Sequence, residues 1–430
     1  MKKQNIIFIL ILVFSFIFRL YLSTLAHHGD LNNNITWGKL ASERGLSGFY
    51  ESKDWPYSAP NQPPLSVLMF SGLYKIWEPS NDFVWDLNLK LRMFPSKWIW
   101  FWDEKGLLIL IKSTAIIFDL GIAILLYNFL KKEGKEKQAL LISLVWLFNP
   151  ITWYNSSVWG QSDSIVNFFG LLSIFLLLDR KLLFAIPAMA ISILFKGSLA
   201  ILIPGFLTIS LIQKYKFKEW LLGAVISLLL VIIICIWFHP EFNILSWVIN
   251  LYQKRIFPGE IGDLSANAFN FWNIVSKGSK VLDSVKYFGL SARIWGFLVF
   301  CMFLIITLVK LIKSKFSKEK ALFSLMILAF ASFLFITRVH ERYLYPVFPL
   351  LTLLMFYKKR LIPIYIILSA VFLLNMFNLW WYPTITFLFN SLSVKEGLLT
   401  IFLSWLNIGL FILLFLIYLL DLRNEKVNTK

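Results

Sequence analysis

Apolar runs separated by short basic linkers dominate the pattern of the chain. The runs fall near residues 6–26, 107–130, 139–153, 163–178, 182–196, 198–213, 219–238, 290–310, 321–337, 343–357, 361–380 and 398–420. Runs such as 6–26 and Leu398–Leu420 are long enough to cross a hydrocarbon core of about 30 Å. The pattern therefore predicts an all-α polytopic membrane protein with about twelve transmembrane helices.

The linkers predict the orientation of these spans. Lysines and arginines concentrate at 131–135, 180–181, 214–218, 313–320 and 358–360. With a cytoplasmic N-terminus, each of these linkers and the C-terminus fall on the cytoplasmic side, as the positive-inside rule requires. The first span contains Arg19 and ends in His27-His28, not in a small-residue cleavage motif, so we interpret it as a retained signal-anchor helix.

Two long segments, 27–105 and 239–289, then become extracytoplasmic loops of a single unit that covers residues 1–430. The apolar stretch 63–77 is too short for a confident span, and a full crossing there would invert the later linkers. We therefore expect it to lie on the membrane or dip into it, as one of several short interfacial helices in the first loop. Both loops are rich in tryptophan and tyrosine, which suits a membrane-interface belt, sugar stacking or lipid contact.

Composition agrees with the membrane assignment. The chain is 58% hydrophobic and 15% charged, with a mean hydropathy of +0.70. Its net charge of +18 comes mostly from the linkers, so we predict no nucleic-acid partner. Cys235 and Cys301 lie inside apolar runs, and no metal-ligand or nucleotide-binding motif occurs, so we predict no metal and no cofactor.

Asp30, just after the first span, is the candidate catalytic residue. It is either a helix cap or solvated carboxylate, or a general base that takes a proton from a hydroxyl group. Glu43, Glu51 and Asp54 compete for the role within the same loop.

A second charged cluster follows the run 321–337. It contains Arg338, His340, Glu341, Arg342 and Tyr343. The cluster is either an ion-paired surface turn or a site for a phosphate, because arginine binds phosphate oxygens in a bidentate way and charges beside hydrocarbon are costly.

Other polar groups fall on the same predicted side. Gln161 and Asp163 sit in a turn, where they serve the turn itself or bind sugar hydroxyls, and Lys196 either extends to the surface or approaches an anionic lipid head group. Asn267, Asn270 and Trp272 suit carbohydrate binding or helix capping.

Three charged residues, Arg19, Lys112 and Asp119, lie within predicted spans. We expect an internal ion pair among them.

Together these motifs resemble the GT-C class of integral-membrane glycosyltransferases, and in particular prokaryotic relatives of the second mannosyltransferase of GPI-anchor synthesis. The resemblance covers most of the chain. It rests on Gly29-Asp30, Asn61-Gln62-Pro63-Pro64-Leu65, Asn149-Pro150, Trp159-Gly160-Gln161-Ser162-Asp163, Ser265 to Trp272, and His340-Glu341-Arg342-Tyr343-Leu344-Tyr345-Pro346.

The resemblance implies a GT-C-like helical bundle that transfers a sugar from a polyprenyl-phosphate donor with inversion. Mannose is the sugar that the family favours, and glucose and arabinose stay open. Asp30 matches the catalytic base. Arg338, His340, Arg342 and Lys196 are the implied donor-phosphate ligands. Implied substrate contacts are Gln161, Asp163, Asn267, Asn270, Trp272, Glu341 and Tyr343.

The implied partners are the lipid donor, a glycan or lipid-linked acceptor, and membrane lipid, at the outer face of a plasma (inner) membrane. One departure is that Leu31 and Asn32 follow Asp30, so the paired acidic motif of many GT-C enzymes is missing and metal dependence is not implied. The competing hypotheses are a secondary transporter, and a lipid-linked polysaccharide ligase or polymerase that would use arginine and histidine instead of Asp30.

Overall fold

The computed structural model describes residues 3–91, 95–258, 261–378, 380–393 and 397–427. Residues 1–2, 92–94, 259–260, 379, 394–396 and 428–430 lie outside these ranges. They include parts of both termini, of both predicted long loops and of the predicted span 361–380. The chain is a predominantly helical membrane protein with very little sheet.

The helices of the first half are α1 (Lys3–Ser23), α2 (Asp30–Glu43), α3 (Pro64–Lys90), α4 (Ser96–Lys132), α5 (Glu136–Phe148), α6 (Pro150–Trp153), α7 (Asp163–Leu178), α8 (Leu182–Phe195) and α9 (Ile203–Ile212). Those of the second half are α10 (Phe217–Cys235), α11 (Ile244–Leu251), α12 (Phe271–Ser276), α13 (Ala292–Lys313), α14 (Lys318–Phe335), α15 (Val347–Tyr357), α16 (Ile362–Phe377), α17 (Thr386–Leu392) and α18 (Leu398–Val427). Short 3₁₀- or π-helical stretches cover Phe49–Glu51, Tyr154–Trp159, Gly197–Leu202, Tyr252–Ile256, Glu341–Leu344 and Lys359–Leu361.

Four two-residue strands form two small sheets within the described residues. They are β1 (Ser265–Ala266), β2 (Lys286–Tyr287), β3 (Leu290–Ser291) and β4 (Val339–His340). β1 pairs with β4 in parallel, with Ala266 opposite His340, and β2 pairs with β3 in antiparallel fashion. The first pairing holds the long segment before α13 against the charged cluster after α14.

Each of the twelve predicted spans coincides with a helical segment of the described chain, but the lengths differ. Six helices among the described residues are long and apolar enough to cross a membrane: α1, α4, α10, α13, the segment Lys359–Phe377 and α18. Shorter apolar helices cover Asp163–Leu178, Leu182–Phe195 and Gly197–Ile212. The number of twelve crossings therefore stays a prediction, since several segments are shorter than the about 20 residues that a crossing needs.

The helix at 63–77 was expected to be short, and this was wrong. α3 runs for 27 residues and continues through Pro79, because polar residues extend the helix beyond the apolar stretch. Val67, Phe70 and Tyr74 are buried at helical spacing and face α2, so α3 is an amphipathic helix packed on its neighbour. α4 likewise begins at Ser96, 37 residues long, so the end of the predicted first loop is helical.

The core of the bundle lies around α14 and α15. Almost every residue of α14 from Lys320 onward is buried, and α15 is buried from Val347 to Met355. These two helices pack against each other, and α5, α16 and α18 surround them. A helix that is apolar on all sides belongs in the interior of such a bundle.

The basic linkers meet at one end of the bundle, which we call the basic end. Asp179 binds both Lys132 and Lys318 at 2.8 Å, and Lys358 binds Glu319, the neighbour of Lys318, at 2.7 Å. α7 starts at Asp163 and ends beside Asp179, so Asp163 marks the opposite end.

Candidate active site

A cavity of about 840 Å³ opens at the end of the bundle opposite the basic end. Its walls come from α2, the segment before α3, the start of α7, the end of α8, residues 253–258 and 261, the start of α13 and the residues around α14 and β4. Charged residues among those that line it are Asp30, Asp163, Lys196, Arg293, Arg338 and Arg342. Residues from distant parts of the chain therefore share one polar cavity.

Asp30 is the first residue of α2, and its carboxylate is 43% exposed at the cavity. Asp30 directly follows the N-cap residue Gly29, and its Oδ1 lies 3.6 Å from Nδ1 of His28. Gln161 donates its Nε2 proton to Oδ2 at 2.8 Å. The backbone N–H of Asp30 donates to Nδ1 of His28 at 3.0 Å, so that ring nitrogen is an acceptor and His28 holds the start of the helix. Burial lowers the pKa of His28, which agrees with a neutral ring.

A sharp backbone reversal brings Gln161 to this carboxylate. The π-helix Tyr154–Trp159 ends at Gly160, which has a φ of +89°. A Cβ at Gly160 would lie 2.9 Å from Cγ of Lys112 and 3.0 Å from Cδ1 of Leu31. Only glycine suits this conformation and this contact, and π-helical turns are frequent at functional sites.

Arg342 lies between several carboxylates. Its Nη1 donates to Glu341 at 2.7 Å and lies 3.8 Å from Oδ2 of Asp30, while Nε lies 4.0 Å from Oδ2 of Asp163. Burial by itself lowers the pKa of Arg342. The nearby carboxylates of Glu341, Asp30 and Asp163 outweigh this effect and hold the pKa above its usual value. The buried Nε has no hydrogen-bond partner among the described residues. The contact with Glu341 thus holds the guanidinium in place at the cavity.

Lys196 ends α8 beside Arg342. Its Nζ lies 2.6 Å from Oδ1 of Asp163, and it also lies 4.9 Å from the centre of the Tyr343 ring. The side chain of Asp163 is only 6% exposed. The lysine therefore covers Asp163, and Asp30 is the more accessible carboxylate of the two.

His340 lines the cavity, but its expected role as a cationic phosphate ligand needs correction. Burial, together with the charges of Arg342 and Lys196, lowers the pKa of His340 well below its usual value. The ring is therefore neutral near pH 7, and it can only offer a neutral hydrogen bond to a ligand.

Arg338 lines the same cavity, yet its guanidinium already has an anion. Nε and Nη2 form a bidentate pair with Asp283 at 2.7 and 3.0 Å, and Nη1 donates to the carbonyl of Pro258 at 3.1 Å. Direct binding of a donor phosphate was the expectation. It stays a prediction, and Asp283 occupies the bidentate donors in this structure.

The cluster 265–272 has structural partners instead of a place in the cavity. Asn270 caps α12 by accepting from the N–H of Asn273 and donates to the carbonyl of Phe333, and Trp272 donates to the carbonyl of Phe335. Asn267 is exposed outside the cavity lining. The capping alternative therefore accounts for Asn270. The expected carbohydrate contacts are corrected for the buried Asn270 and Trp272, whereas that of Asn267 stays a prediction.

The remaining predicted residues divide between the cavity and the surface. Tyr343 lines the cavity, whereas Glu341 is buried behind Arg342 and contacts it. The competing carboxylates bind surface partners: Glu43 pairs with Lys39, Glu51 with Trp247 and Asp54 with Arg44.

Sequence reasoning identified Gln161 but assigned no role to four other amides of the cavity. Asn33, Asn34, Asn61 and Gln62 line it, and we call these four residues the amide wall. Asp30, Asn33, Asn34 and Trp37 recur at i, i+3, i+4 and i+7, the spacing of one helix face, and this signal could have identified the α2 part of the wall.

Among the described residues, no three His, Cys, Asp or Glu side chains come together as a metal site. Comparison with known proteins adds no family: no protein-family model matches the chain, and no curated protein matches it significantly.

Proposed function

We propose that the chain is an integral-membrane glycosyltransferase of the GT-C type. It would transfer a sugar, mannose as the first choice, from a polyprenyl-phosphate donor to a glycan or lipid-linked acceptor. The observation that carries the proposal is the 3.8 Å approach of the Arg342 guanidinium to the Asp30 carboxylate in one large cavity at the end of a membrane bundle. A base and a cation side by side suit the removal of a hydroxyl proton and the departure of a phosphate.

Asp30 is the general base of the proposed reaction. Its carboxylate is 43% exposed, whereas Asp163 is covered by Lys196 and Asp283 by Arg338. Gln161 binds one carboxylate oxygen and thereby orients the group. A base must reach the proton that it removes, and the exposed position of Asp30 allows an acceptor hydroxyl to approach it.

The proposed reaction is a single inverting displacement. The acceptor oxygen attacks the anomeric carbon as its proton passes to Asp30. The bond from that carbon to the phosphate oxygen breaks, and the electron pair stays on the lipid phosphate. Negative charge grows on the leaving group, so fixed cations there lower the barrier. Arg342 and Lys196 are suited to this, and neutral His340 adds a hydrogen bond.

The proposed location of the site is the extracytoplasmic face of a plasma membrane. The cavity lies at the end opposite the basic linkers, and such linkers favour the cytoplasm. Ile201, Phe333 and Ile336 add apolar surface to the cavity, which suits a donor that arrives on a lipid.

The test is transfer by the Asp30→Asn variant in lipid nanodiscs with radiolabelled polyprenyl-phosphate mannose. Because a general base contributes about 10²- to 10⁴-fold, we expect transfer to fall at least a hundredfold while the unfolding temperature stays unchanged. Asp54→Asn is the matched control, since that carboxylate is 88% exposed and contacts Arg44; it should keep full activity.

Transfer within a few fold of the parent in Asp30→Asn would overturn the base assignment and favour a ligase that uses arginine and histidine. Uptake of a labelled solute into vesicles without any transfer by the parent chain would instead indicate a transporter.

A further inference from the structure

The amide wall is a preorganised surface beside Asp30. The N–H of Ser58 donates to Oδ1 of Asn33 at 3.0 Å, and Nε1 of Trp37 donates to the carbonyl of Ser58 at 2.9 Å. The hydroxyl of Tyr50 donates to the carbonyl of Gln62 at 2.6 Å. These bonds fix the segment before α3 against α2, so the wall keeps its shape when no ligand is bound.

The amide of Gln62 is incompletely paired within the described part of the chain. Oε1 of Gln62 is buried and has no hydrogen-bond partner among the described residues. Its Nε2 lies 3.5 Å from Oδ1 of Asn34, which is a long contact. Buried polar groups are normally paired, so an unpaired amide oxygen in a cavity wall indicates a site for a ligand donor.

The amide wall differs from the rest of the cavity in its lack of cationic side chains, whereas amides also occur elsewhere in the lining, at Gln161, Asn167 and Gln253. Lys196, Arg293, Arg338 and Arg342 come from α8, α13 and the residues around β4, whereas α2 and the segment before α3 contribute amides and Asp30 to the cavity. An amide both donates and accepts, as a hydroxyl does, and it offers no charge to a phosphate. The wall therefore matches an uncharged group that is rich in hydroxyls.

Geometry connects this wall to the proposed chemistry. Asp30, Asn33, Asn34 and Trp37 occupy one face of α2, with Asn33 and Asn34 one turn from Asp30. One turn is about 5.4 Å, close to the width of a pyranose ring. A sugar held by the amides would thus place a neighbouring hydroxyl at the carboxylate.

We propose that the amide wall is the acceptor subsite and that it binds an uncharged sugar residue, whose hydroxyl Asp30 deprotonates. This rests on the proposed function for the role of Asp30, but the binding itself can be tested without transfer.

The experiment titrates hexyl α-D-mannopyranoside and hexyl phosphate into the full chain in lipid nanodiscs, free of sugar detergents, and follows binding by ligand-observed NMR. The parent chain should bind the neutral glycoside. Gln62→Met, which keeps the side-chain volume, and Asn34→Ala should each weaken it about three- to tenfold, as expected for one lost hydrogen bond. Asn32→Ala is the matched control, since Asn32 is outside the cavity lining, and it should bind as the parent does.

Hexyl phosphate reports on the cationic side. Its binding should weaken in Lys196→Ala and stay unchanged in Gln62→Met.

Parent-like glycoside binding in both amide variants, no glycoside binding by the parent chain, or an equal loss in Asn32→Ala would overturn the subsite. If the amide variants lose glycoside binding while Asp30→Asn still transfers sugar, the subsite stands and the base assignment fails. If Asp30→Asn abolishes transfer and the amide variants bind the glycoside as the parent does, the base assignment stands and the subsite fails.

Discussion

Arg19 and Asp119 form a fully buried ion pair inside the bundle, with Nη1 and Oδ2 2.6 Å apart. Serine and threonine hydroxyls and the Leu147 carbonyl bind the other guanidinium protons, and Tyr345 donates to Asp119 at 2.6 Å. The sequence predicted an internal ion pair, and this is confirmed for these two residues. Lys112 instead donates to backbone carbonyls.

Asp119→Asn is expected to destabilise the chain by about 3–5 kcal/mol, because it leaves the Arg19 charge buried and unbalanced. Thermal unfolding in nanodiscs measures the loss. Asp86→Asn is the control: that carboxylate is 67% exposed and 3.8 Å from Lys90, so its loss should cost less than about 1 kcal/mol. Equal unfolding temperatures for the two variants would contradict the buried pair's importance.

Individual residues also show where sequence reasoning stops. Asp30, Gln161 and Arg342 were predicted from motifs, and they lie together in the cavity. Arg338 has the same residue type and a neighbouring position, but Asp283 binds it from a segment without any motif. Arg342 pairs with its chain neighbour Glu341, whereas Arg338 pairs with a residue 55 positions away, and no local pattern reports that long-range contact.

At the scale of elements, the reversal at Gly160 joins the π-helical turn to α7 and sets the position of Gln161. Gly134 offers a comparison, because its φ is +74° but nothing lies within 4 Å of a Cβ placed there. Both glycines adopt a left-handed conformation. Of the two, only Gly160 has neighbouring atoms that an added Cβ would contact.

Gly160→Ala is therefore expected to lose activity and stability, and Gly134→Ala to lose stability alone. Left-handed strain costs each variant about 1–2 kcal/mol, and the clash with Lys112 and Leu31 adds to it at Gly160. The clash also displaces Gln161 from Asp30, so we expect at least a tenfold fall in kcat for transfer. Unfolding temperature and kcat are measured for both; an active Gly160→Ala chain would show that this reversal does not position the site.

Helices were easier to predict than their lengths. Continuous apolar runs mark where a helix exists, and α7 and α8 begin and end within a residue of their predicted spans. α3 was predicted too short because its second half is polar, and its buried face becomes evident only once α2 provides the surface it covers. A hydropathy pattern records burial in lipid, but not burial against another polar helix.

At the scale of the whole molecule, two kinds of charge cluster occupy opposite ends. Lysines shared between linkers collect at the basic end, and the cavity with Asp30 lies at the other. A membrane that surrounded the bundle between these ends would place them in two compartments. The positive-inside rule then predicts that the basic end is cytoplasmic and the cavity extracytoplasmic.

Cysteine labelling in right-side-out membrane vesicles tests this orientation. Asp54→Cys lies on the segment beside the cavity and Lys132→Cys at the basic end, with native side chains 88% and 66% exposed. We expect a membrane-impermeant maleimide to label the first variant in intact vesicles and the second only after permeabilisation. The parent chain is the blank, because Cys235 is buried and Cys301 lies within α13. Labelling in the opposite order would place the cavity in the cytoplasm, where an acceptor outside the cell could not reach Asp30.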